Sequence, residues 1–338
     1  MRLLFLSSED YLPHKVGGAE WSTHYLVLEL LRREVEVQVL CRLGRGWAHR
    51  FSRWLRPNLT RCDSSLGYPV WRAVDPQRQV TRLLGLARPD AVIAIAGFAQ
   101  PLLKATMHPR RLLFLRDVRL PEQFQSGVKY LANSHFVAGH YSQRFACPIP
   151  VSYPLVPPLA YAGQHRGKQV LFVNPHPQKG LELVLQLAEL CPELTFHFVE
   201  SWPVHPLVRA RLWWRTRSLP NVKLSRPSLD MRVVYAQTRV LLVPSQVPEA
   251  WGRVVSEAQH SLIPCLASAI GGLPESVGKA GVLLDPKAPP TRWAAELRRF
   301  FNDEDHYSHL SEQARLRALD PNFQPDRIVD EFLAVLQA

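Results

Sequence analysis

The sequence predicts an α/β fold in which parallel sheets are covered by helices on both faces. Short runs of Leu, Val, Ile and Phe alternate along the chain with stretches of helical period, which is typical of that architecture. Two glycines, Gly17 and Gly18, follow the first apolar run and precede leucines at helical spacing, an opening typical of a Rossmann-like unit. The strands predicted in the first half are Arg2–Leu6, Val35–Leu40, Ala91–Ala94, Leu112–Leu115 and Tyr130–Ala132.

A proline-rich segment divides the chain. Between residues 148 and 158 prolines recur so closely that neither a helix nor a central strand continues easily. The α/β pattern then begins again, which predicts domains at 1–158 and 159–321 and a final amphipathic helix at about 322–338. The elements predicted in the second half are strands at Val170–Val173, Thr195–Val199 and Val240–Val243 and a helix at Gly180–Leu190.

The charge of the chain is concentrated in its first half. The 338 residues include 41 Lys and Arg against 29 Asp and Glu, a net charge of +12. Residues 1–150 contain 21 of the basic and 11 of the acidic residues, so +10 of this charge lies there. The 46% of apolar residues can form large cores, which excludes a disordered protein and a small binding module. Composition leaves open nucleic acid, an acidic membrane surface and an acidic substrate as partners.

The sequence gives no sign of a metal site, a disulfide framework or a membrane span. The five cysteines are scattered and lack metal-ligand spacing. Asp303-Glu304-Asp305 matches a metal-binding D-x-D string, but its place between two predicted helices favours a solvated helix start. No apolar run approaches the roughly 20 residues that a spanning helix needs, and the N-terminal run is too short for a signal peptide. We therefore expect a reduced, cytoplasmic chain that can at most lie on a membrane.

The most informative segment follows the last predicted strand. Glu249 lies in a loop at the carboxyl end of that strand, where ligands bind in open α/β sheets. The backbone N–H groups of Trp251, Gly252 and Arg253 are donors at a predicted helix start and suit an anion. Glu257 offers acceptor oxygens that fit a vicinal diol such as a ribose. The competing interpretation is that Glu249 caps the helix and that Glu257 is a solvated surface residue.

A second segment places a cation at a helix start. Asn174 follows a predicted strand, and Lys179 precedes the helix that comes after it. A lysine at this end opposes the helix dipole, which suggests a bound anion, and its compact charge suits phosphate. A solvated loop lysine is the alternative. The Gly17-Gly18 pair also lets the backbone approach a ligand, although its spacing is not the dinucleotide fingerprint.

Five motifs occur in a fixed order along the chain: Gly17-Gly18, Asn133-Ser134, Lys179-Gly180, the segment from Glu249 to Glu257, and Gly271-Gly272-Leu273-Pro274-Glu275. Together they resemble the retaining GT-B glycosyltransferases of family 4, over essentially the whole chain. The most specific element is the E-x7-E spacing of Glu249 and Glu257. The resemblance implies two Rossmann-like domains with parallel sheets facing a central cleft, with the final helix packed back on the first domain.

The resemblance also implies a role for each residue of the second domain. Glu257 would hold the ribose hydroxyls, Lys179 the diphosphate, and the N–H groups of residues 251–253 the phosphate and sugar. Glu249 would bind hydroxyls of the transferred sugar and orient it, which makes Glu249 and Lys179 the expected catalytic residues. No metal or other cofactor is expected, because placed cations and helix dipoles would neutralise the leaving diphosphate.

Two positions depart from the family pattern. Asn174 stands where the family usually has an Arg, so the expected diphosphate site lacks one positive charge. Arg116 and Asp117 stand where many relatives have a His-Asp pair, and both are candidates for contact with the sugar or the acceptor. The resemblance assigns Gly17, Gly18 and Asn174 to the nucleotide-sugar site.

The expected function is transfer of a sugar, with retention, from a nucleoside diphosphate donor to an acceptor. The basic first domain favours an acceptor that is an anionic or lipid-linked glycan, or one carried on an anionic membrane at its cytoplasmic face. A GT-B epimerase or glycan phosphorylase, and a catalytically inactive basic binding protein, are alternatives. No nucleic-acid partner is expected, because the chain has basic charge without a nucleic-acid-binding motif.

Two segments combine arginine with aromatic residues, at 42–56 and 209–217. Either can lie in a membrane interface or form a solvated face whose tryptophans pack inward. For the segment at 42–56 the two interpretations are equally supported. Inward packing is the expectation for 209–217.

Overall fold

The computed structural model describes residues 1–44, 55–119, 123–163, 167–201, 206–228 and 230–337. The chain divides into two compact units. Unit 1 comprises Met1–Leu155 and Gln324–Ala338, and unit 2 comprises Val156–Phe323. The chain first changes from unit 1 to unit 2 between Leu155 and Val156. This point lies inside the proline-rich segment, close to the predicted boundary at 158.

Unit 1 is built on a seven-stranded sheet with the order β3-β4-β2-β1-β5-β6-β7. All its described strand pairs are parallel except β3 with β4, which are antiparallel at one edge. The strands are β1 (Arg2–Leu6), β2 (Glu36–Arg42), β3 (Thr60–Asp63), β4 (Val70–Ala73), β5 (Ala91–Ala94), β6 (Arg111–Leu115) and β7 (Lys129–Ala132). Since the central strands are covered on both faces, they are continuously apolar rather than alternating.

The helices of unit 1 include one from the far end of the chain. In chain-order numbering they are α1 (Gly18–Arg32), α2 (Pro76–Ala87), α3 (Gln100–Thr106), α4 (His135–Phe145) and α13 (Pro325–Gln337). Helix α13 buries Ile328, Val329, Phe332 and Leu336 in the core of unit 1. The Phe332 ring stacks on that of Phe5 with a centroid separation of 6.0 Å. An apolar stripe at helical spacing thus joins the last residues to the first strand.

Unit 2 is built on a six-stranded parallel sheet with the order β10-β9-β8-β11-β12-β13. Its strands are β8 (Gln169–Val173), β9 (Thr195–Val199), β10 (Val222–Ser225), β11 (Thr238–Val243), β12 (Cys265–Ser268) and β13 (Gly281–Leu284). Its helices are α5 (Pro158–Tyr161), α6 (Leu181–Leu190), α7 (Pro206–Thr216), α8 (Arg232–Tyr235), α9 (Arg253–His260), α10 (Leu273–Val277), α11 (Pro290–Asn302) and α12 (Glu304–Ala318).

Two further predictions from the sequence, the helix start at Asp303 and the inward-packed tryptophans at 209–217, can be compared with the structure. Asp303 starts a helix as predicted, because its carboxylate accepts the His306 N–H at 2.9 Å and so caps α12. The expectation of inward-packed tryptophans at 209–217 is wrong: Trp213 and Trp214 are exposed. Most of the other basic–aromatic segment, at 45–54, lies outside the described residues. Of the described helices, none has both the length and the apolar character required to cross a membrane.

Candidate functional site

The candidate site lies at the carboxyl edge of the two central strands of unit 2. Strands β8 and β11 are neighbours in the sheet, and because they are parallel their following loops emerge at the same edge. The Gln246 N–H donates to the Gln178 carbonyl oxygen at 2.9 Å, which ties one loop to the other. Lys179 ends a short 3-10 turn in the first loop, and Glu249 lies in the second. Sheet topology thus joins two segments that are distant in the sequence.

Lys179 and Glu249 form an ion pair. The distance from Lys179 Nζ to Glu249 Oε2 is 2.8 Å, and the Ser245 hydroxyl donates to Glu249 Oε1. The Lys179 side chain is 30% exposed and that of Glu249 is 12% exposed. An ammonium group has three donors and a carboxylate has several acceptor positions, so both retain capacity for a ligand. The pair can therefore offer a cation to an anionic group and an acceptor to a hydroxyl group.

Glycines fix the loop that carries Glu249. The Gly272 N–H donates to the Glu249 carbonyl oxygen at 2.7 Å. A Cβ atom at Gly271 would lie 2.5 Å from that oxygen and 2.6 Å from the Glu249 nitrogen, and Gly271 has φ +64°. A Cβ atom at Gly180 would similarly lie 2.2 Å from the Pro244 carbonyl oxygen. Only residues without a side chain allow these backbones to approach so closely.

Glu257 belongs to a buried polar cluster beside this loop. In helix α9 its Oε1 accepts the Arg253 Nε–H at 2.8 Å, and its Oε2 accepts the Tyr235 hydroxyl at 2.8 Å. Arg253 also donates from Nη2 to the Tyr161 hydroxyl at 3.1 Å. Burial, followed by the charge of Glu257, raises the pKa of Tyr235 well above its ordinary value. Tyr235 is therefore neutral and can donate, and Glu257 is buried rather than solvated.

The start of helix α9 is formed by backbone geometry. Gly252 precedes α9 with φ +91°, and no side chain caps the helix, so the interpretation of Glu249 as a capping residue is wrong. Trp251 is buried, its indole N–H donates to Ser256 Oγ at 2.9 Å, and its ring packs on Phe323 with centroids 5.7 Å apart. The packed indole holds the chain in place where it enters the helix.

Asn174 lies at the carboxyl end of β8. The residue is buried and has φ +63°, and its N–H donates to the Val199 carbonyl oxygen at 2.7 Å. Asparagine tolerates this left-handed conformation better than most residues. Asn174 therefore shapes the start of the loop that carries Lys179.

Three of the four predicted residues of unit 1, Gly17, Gly18 and Arg116, lie at the start of helix α1. Gly17 immediately precedes α1 and Gly18 is its first residue. Arg116 donates from Nη1 to the Ala19 carbonyl oxygen at 2.7 Å and to Thr23 Oγ1 at 2.6 Å, which fixes the guanidinium beside the first turn of α1. Asp117 follows Arg116, and its Oδ1 accepts the Arg119 N–H at 2.8 Å.

Unit 1 also contains ion pairs that the sequence analysis did not single out. Lys15 Nζ lies 2.8 Å from Oε1 of the buried Glu20, and Arg42 Nε lies 3.1 Å from Oδ1 of the buried Asp10. The residues missed in unit 2 are Tyr161, Tyr235 and Ser245, because an isolated Tyr or Ser gives no signal in the sequence. Gly271 and Gly272 belong to a predicted motif, but their contact with the Glu249 backbone is visible only in the structure.

Comparisons with known proteins give a family match for unit 2 and a fold match for the whole chain. Residues 165–317 match the family model described as "Glycosyl transferases group 1". A segment of 91 residues is 35% identical to a D-inositol 3-phosphate glycosyltransferase of Corynebacterium glutamicum. This segment is 26% of the chain, and it spans only 21% of the relative's length.

The similarities to solved structures extend over the full length. Anabaena HepE in complex with UDP-glucose has a TM-score of 0.79 at 19% identity, over 100% of this chain and 99% of that chain. A glycosyltransferase of Rickettsia africae has a TM-score of 0.76 at 14% identity, over 99% and 97% of the two chains. These similarities confirm the predicted GT-B fold.

Proposed function

We propose that this chain is a glycosyltransferase in which unit 2 binds a nucleoside diphosphate sugar. The observation that carries the proposal is the Lys179–Glu249 ion pair, held between two loops at the carboxyl edge of the sheet. The family match supports it, because residues 165–317 include Lys179, Glu249 and Glu257. HepE, which has the same fold, was crystallised with UDP-glucose. A family described by glycosyl transfer also favours a transferase over an epimerase, a phosphorylase or an inactive binding protein.

In this proposal Lys179 binds the diphosphate. Its ammonium group keeps one donor on Glu249 and directs others to phosphate oxygens. During transfer the bond from the anomeric carbon to the diphosphate oxygen breaks, and negative charge grows on that oxygen. A cation that is already in place stabilises this charge without reorganisation. Backbone N–H groups of residues 251–253, at the start of α9, add the positive end of a helix dipole.

Glu249 binds hydroxyl groups of the transferred sugar. An acceptor hydroxyl attacks the anomeric carbon on the face from which the diphosphate leaves, which retains the configuration, and its proton leaves with the diphosphate. Glu249 orients the sugar for this attack, since Ser245 and Lys179 already fix its carboxylate. Glu257 binds the ribose hydroxyls through acceptor positions that Arg253 and Tyr235 leave open.

The remaining parts of the proposal concern the acceptor and the conditions of reaction. Unit 1, which carries most of the positive charge, binds an anionic or lipid-linked acceptor, and Arg116 and Asp117 contribute to that site. Gly17 and Gly18 let the backbone of unit 1 approach the donor. The reaction needs no metal, and the enzyme works in the cytoplasm at the inner face of a membrane.

A donor screen tests the proposal. UDP, GDP and ADP sugars are added to the full chain, and thermal unfolding is followed, because a ligand that binds the folded state raises its stability. One nucleotide class should raise the midpoint of unfolding, and Lys179→Met should abolish the rise. Lys287→Met, which removes an exposed lysine elsewhere in unit 2, should leave it unchanged. If no sugar nucleotide stabilises the protein, the proposal fails.

The stereochemistry and metal dependence are tested with the donor so identified. The anomeric configuration of the product is read by NMR, and retention is expected. Transfer in excess chelator should proceed at the rate seen without chelator. An inverted product, or activity lost with chelator and restored by a divalent cation, would contradict these parts of the proposal.

A further inference from the structure

Helix α7 of unit 2 presents an apolar and basic surface to solvent. Among the described residues, sixteen large apolar side chains are exposed, and four of them lie on this one helix. They are Leu207, Val208, Trp213 and Trp214, and the two tryptophans are 57% and 67% exposed. Tryptophan has a large apolar area and is rarely left in water by chance. Nothing in the proposed sugar transfer uses these side chains.

The opposite side of α7 attaches the helix to unit 2. Leu212 is buried in the core of that unit. Arg209 donates from Nε to Glu200 at 2.8 Å, and Arg215 donates from Nη2 to Glu182 at 2.6 Å. The acidic partners fix the orientation of the helix, so the tryptophans are directed outward by the way α7 is anchored.

The arginines on the exposed side differ from those on the anchored side. Arg211 and Arg217 are exposed, and within the described part of the chain neither has a carboxylate partner within salt-bridge distance. Arg211 is one helical turn from both Leu207 and Trp214. The Arg217 guanidinium lies 5.7 Å and 5.3 Å from the ring centroids of Trp213 and Trp214. Two positive charges therefore border the apolar side chains.

The positive charge continues beyond the helix. The segment from 206 to 226 contains six Lys and Arg and no Asp or Glu. It includes β10, the edge strand of the sheet, where Lys223 is exposed, and Arg226 immediately after it is exposed as well. A protein partner for this surface would need a strongly acidic face, whereas an anionic bilayer offers both negative headgroups and an apolar layer beneath them.

We propose that α7, with Arg211, Trp213, Trp214 and Arg217, binds the interface of an anionic lipid bilayer. The indoles insert at the level of the headgroups, and the two arginines contact lipid phosphates while their stems cover the apolar boundary. This surface is distinct from the Lys179–Glu249 site, and the inference does not depend on the transferase proposal. It makes unit 2, rather than only the basic unit 1, a membrane-binding part of the protein.

Vesicle sedimentation of the full chain tests the inference. Vesicles of phosphatidylcholine alone are compared with vesicles that also contain phosphatidylglycerol. We expect at least about tenfold stronger partitioning to the anionic vesicles, since each arginine near such a surface contributes roughly fivefold. W213S/W214S should lower binding by about tenfold or more, because interfacial binding scales with apolar area. R211Q/R217Q should lower binding to the anionic vesicles only.

A matched control uses exposed apolar residues of unit 1. Leu86 and Met107 are 61% and 87% exposed, and L86S/M107S should bind vesicles like the unaltered chain. Brominated lipid should quench the tryptophan fluorescence of the unaltered chain more than that of W213S/W214S. Equal binding by the α7 variants and the control would overturn the inference. Dimerisation of the protein through α7 without binding to vesicles would also overturn the inference. Stabilisation by the sugar donor, measured on the same variants, should not change, which separates this test from that of the transferase.

Discussion

Each unit places a Lys–Glu ion pair beside the helix that follows its first strand. In unit 1 the pair is Lys15–Glu20, and in unit 2 it is Lys179–Glu249, each with 2.8 Å between nitrogen and oxygen. The exposures also match, because both lysine side chains are 30% exposed and both glutamates are nearly buried. By distance and burial alone, the two pairs are indistinguishable.

Their origins in the sequence differ. Lys15 and Glu20 are 20 − 15 = 5 residues apart, so one loop and the first turn of α1 provide both. Lys179 and Glu249 are 249 − 179 = 70 residues apart, on loops after two neighbouring strands. A local pair can fix only its own loop. A long-range pair aligns two loops, and that alignment is what a site for a two-part ligand such as a sugar diphosphate needs.

The largest expected difference between the pairs is in catalysis. Glu249→Gln should lower the rate of transfer on the order of 10²-fold or more, because it removes a placed charge at the reacting sugar. Glu20→Gln is the matched change in unit 1 and should alter the rate by less than about threefold. Both variants are assayed with the donor identified by the screen. Equal losses in the two variants would mean that the pairs do not differ in function.

The second expected effect concerns the backbone that carries Glu249. Gly271→Ala should displace Glu249, since the new Cβ would lie 2.5 Å from a backbone oxygen. A displacement of about 1 Å can cost on the order of 10²-fold in rate. The strained φ should also lower the free energy of unfolding by about 1–3 kcal/mol.

Gly278→Ala provides the control for this variant. Gly278 also has a positive φ, of +56°, but the atoms nearest to its Cβ would belong to the Arg317 side chain, the first at 3.3 Å. Gly278→Ala should lower the free energy of unfolding by about as much as Gly271→Ala does, but it should leave the rate of transfer unchanged. Denaturant unfolding and initial rates, measured on both variants, separate strain from misplacement. If Gly278→Ala lost as much activity, the role of Gly271 in holding Glu249 would be wrong.

A third prediction concerns the pH dependence of stability, which should differ between the two units. Burial lowers the pKa of His197 and of His260, both in unit 2, from 6.5 to about 4. Above pH 6.5 both imidazoles are neutral in the folded and unfolded chains, so their stabilisation is fully present. Between pH 6.5 and about 4 these two imidazoles gain protons in the unfolded chain but stay neutral in the folded one, and unit 2 should lose on the order of 2 kcal/mol per imidazole.

Denaturant unfolding across this range measures the loss. His197→Gln should flatten part of the pH dependence, because Gln does not titrate. An unchanged pH profile in His197→Gln would show that this imidazole is not the group responsible.

The smallest expected effect is structural and belongs to unit 1. Lys15→Met leaves Glu20 without its ion-pair partner and should lower the free energy of unfolding by about 1 kcal/mol. Stabilisation by the sugar donor should stay the same, in contrast to Lys179→Met. Urea unfolding with and without donor measures both quantities. A loss of donor stabilisation in Lys15→Met would show that the Lys15–Glu20 pair also contributes to donor binding, and the contrast between the two pairs would be wrong.

The central strands of both sheets were predictable because they are continuously apolar. Predicted and observed bounds agree at both ends for β1, β5 and β9, and to within one residue for β8. The missed strands are short or lie near the edges of the sheets, such as β3, where Thr60–Asp63 has no buried residue. A segment with little apolar pattern forms a strand only when a neighbouring strand supplies hydrogen-bond partners for its backbone.

The same limit applies to the site. The positions of Lys179 and Glu249 at strand ends followed from local pattern, since each lies where a strand meets a helix. Their contact did not, because it depends on β8 and β11 being neighbours although β9 and β10 come between them in the sequence. Tyr161 and Tyr235 were not predictable, as a single tyrosine in a helix has many uses.

The sequence by itself thus determined the α/β architecture and the segments that carry polar residues at strand ends, because hydrophobic periodicity and helix-start signals are local. Only the tertiary structure decided which of these residues meet and which side of a helix faces water. It pairs Lys179 with Glu249, buries Glu257 with Arg253, and turns Trp213 and Trp214 outward. The physical reason is that strand order, and the acidic partners that anchor α7, are set by contacts between residues far apart in the chain.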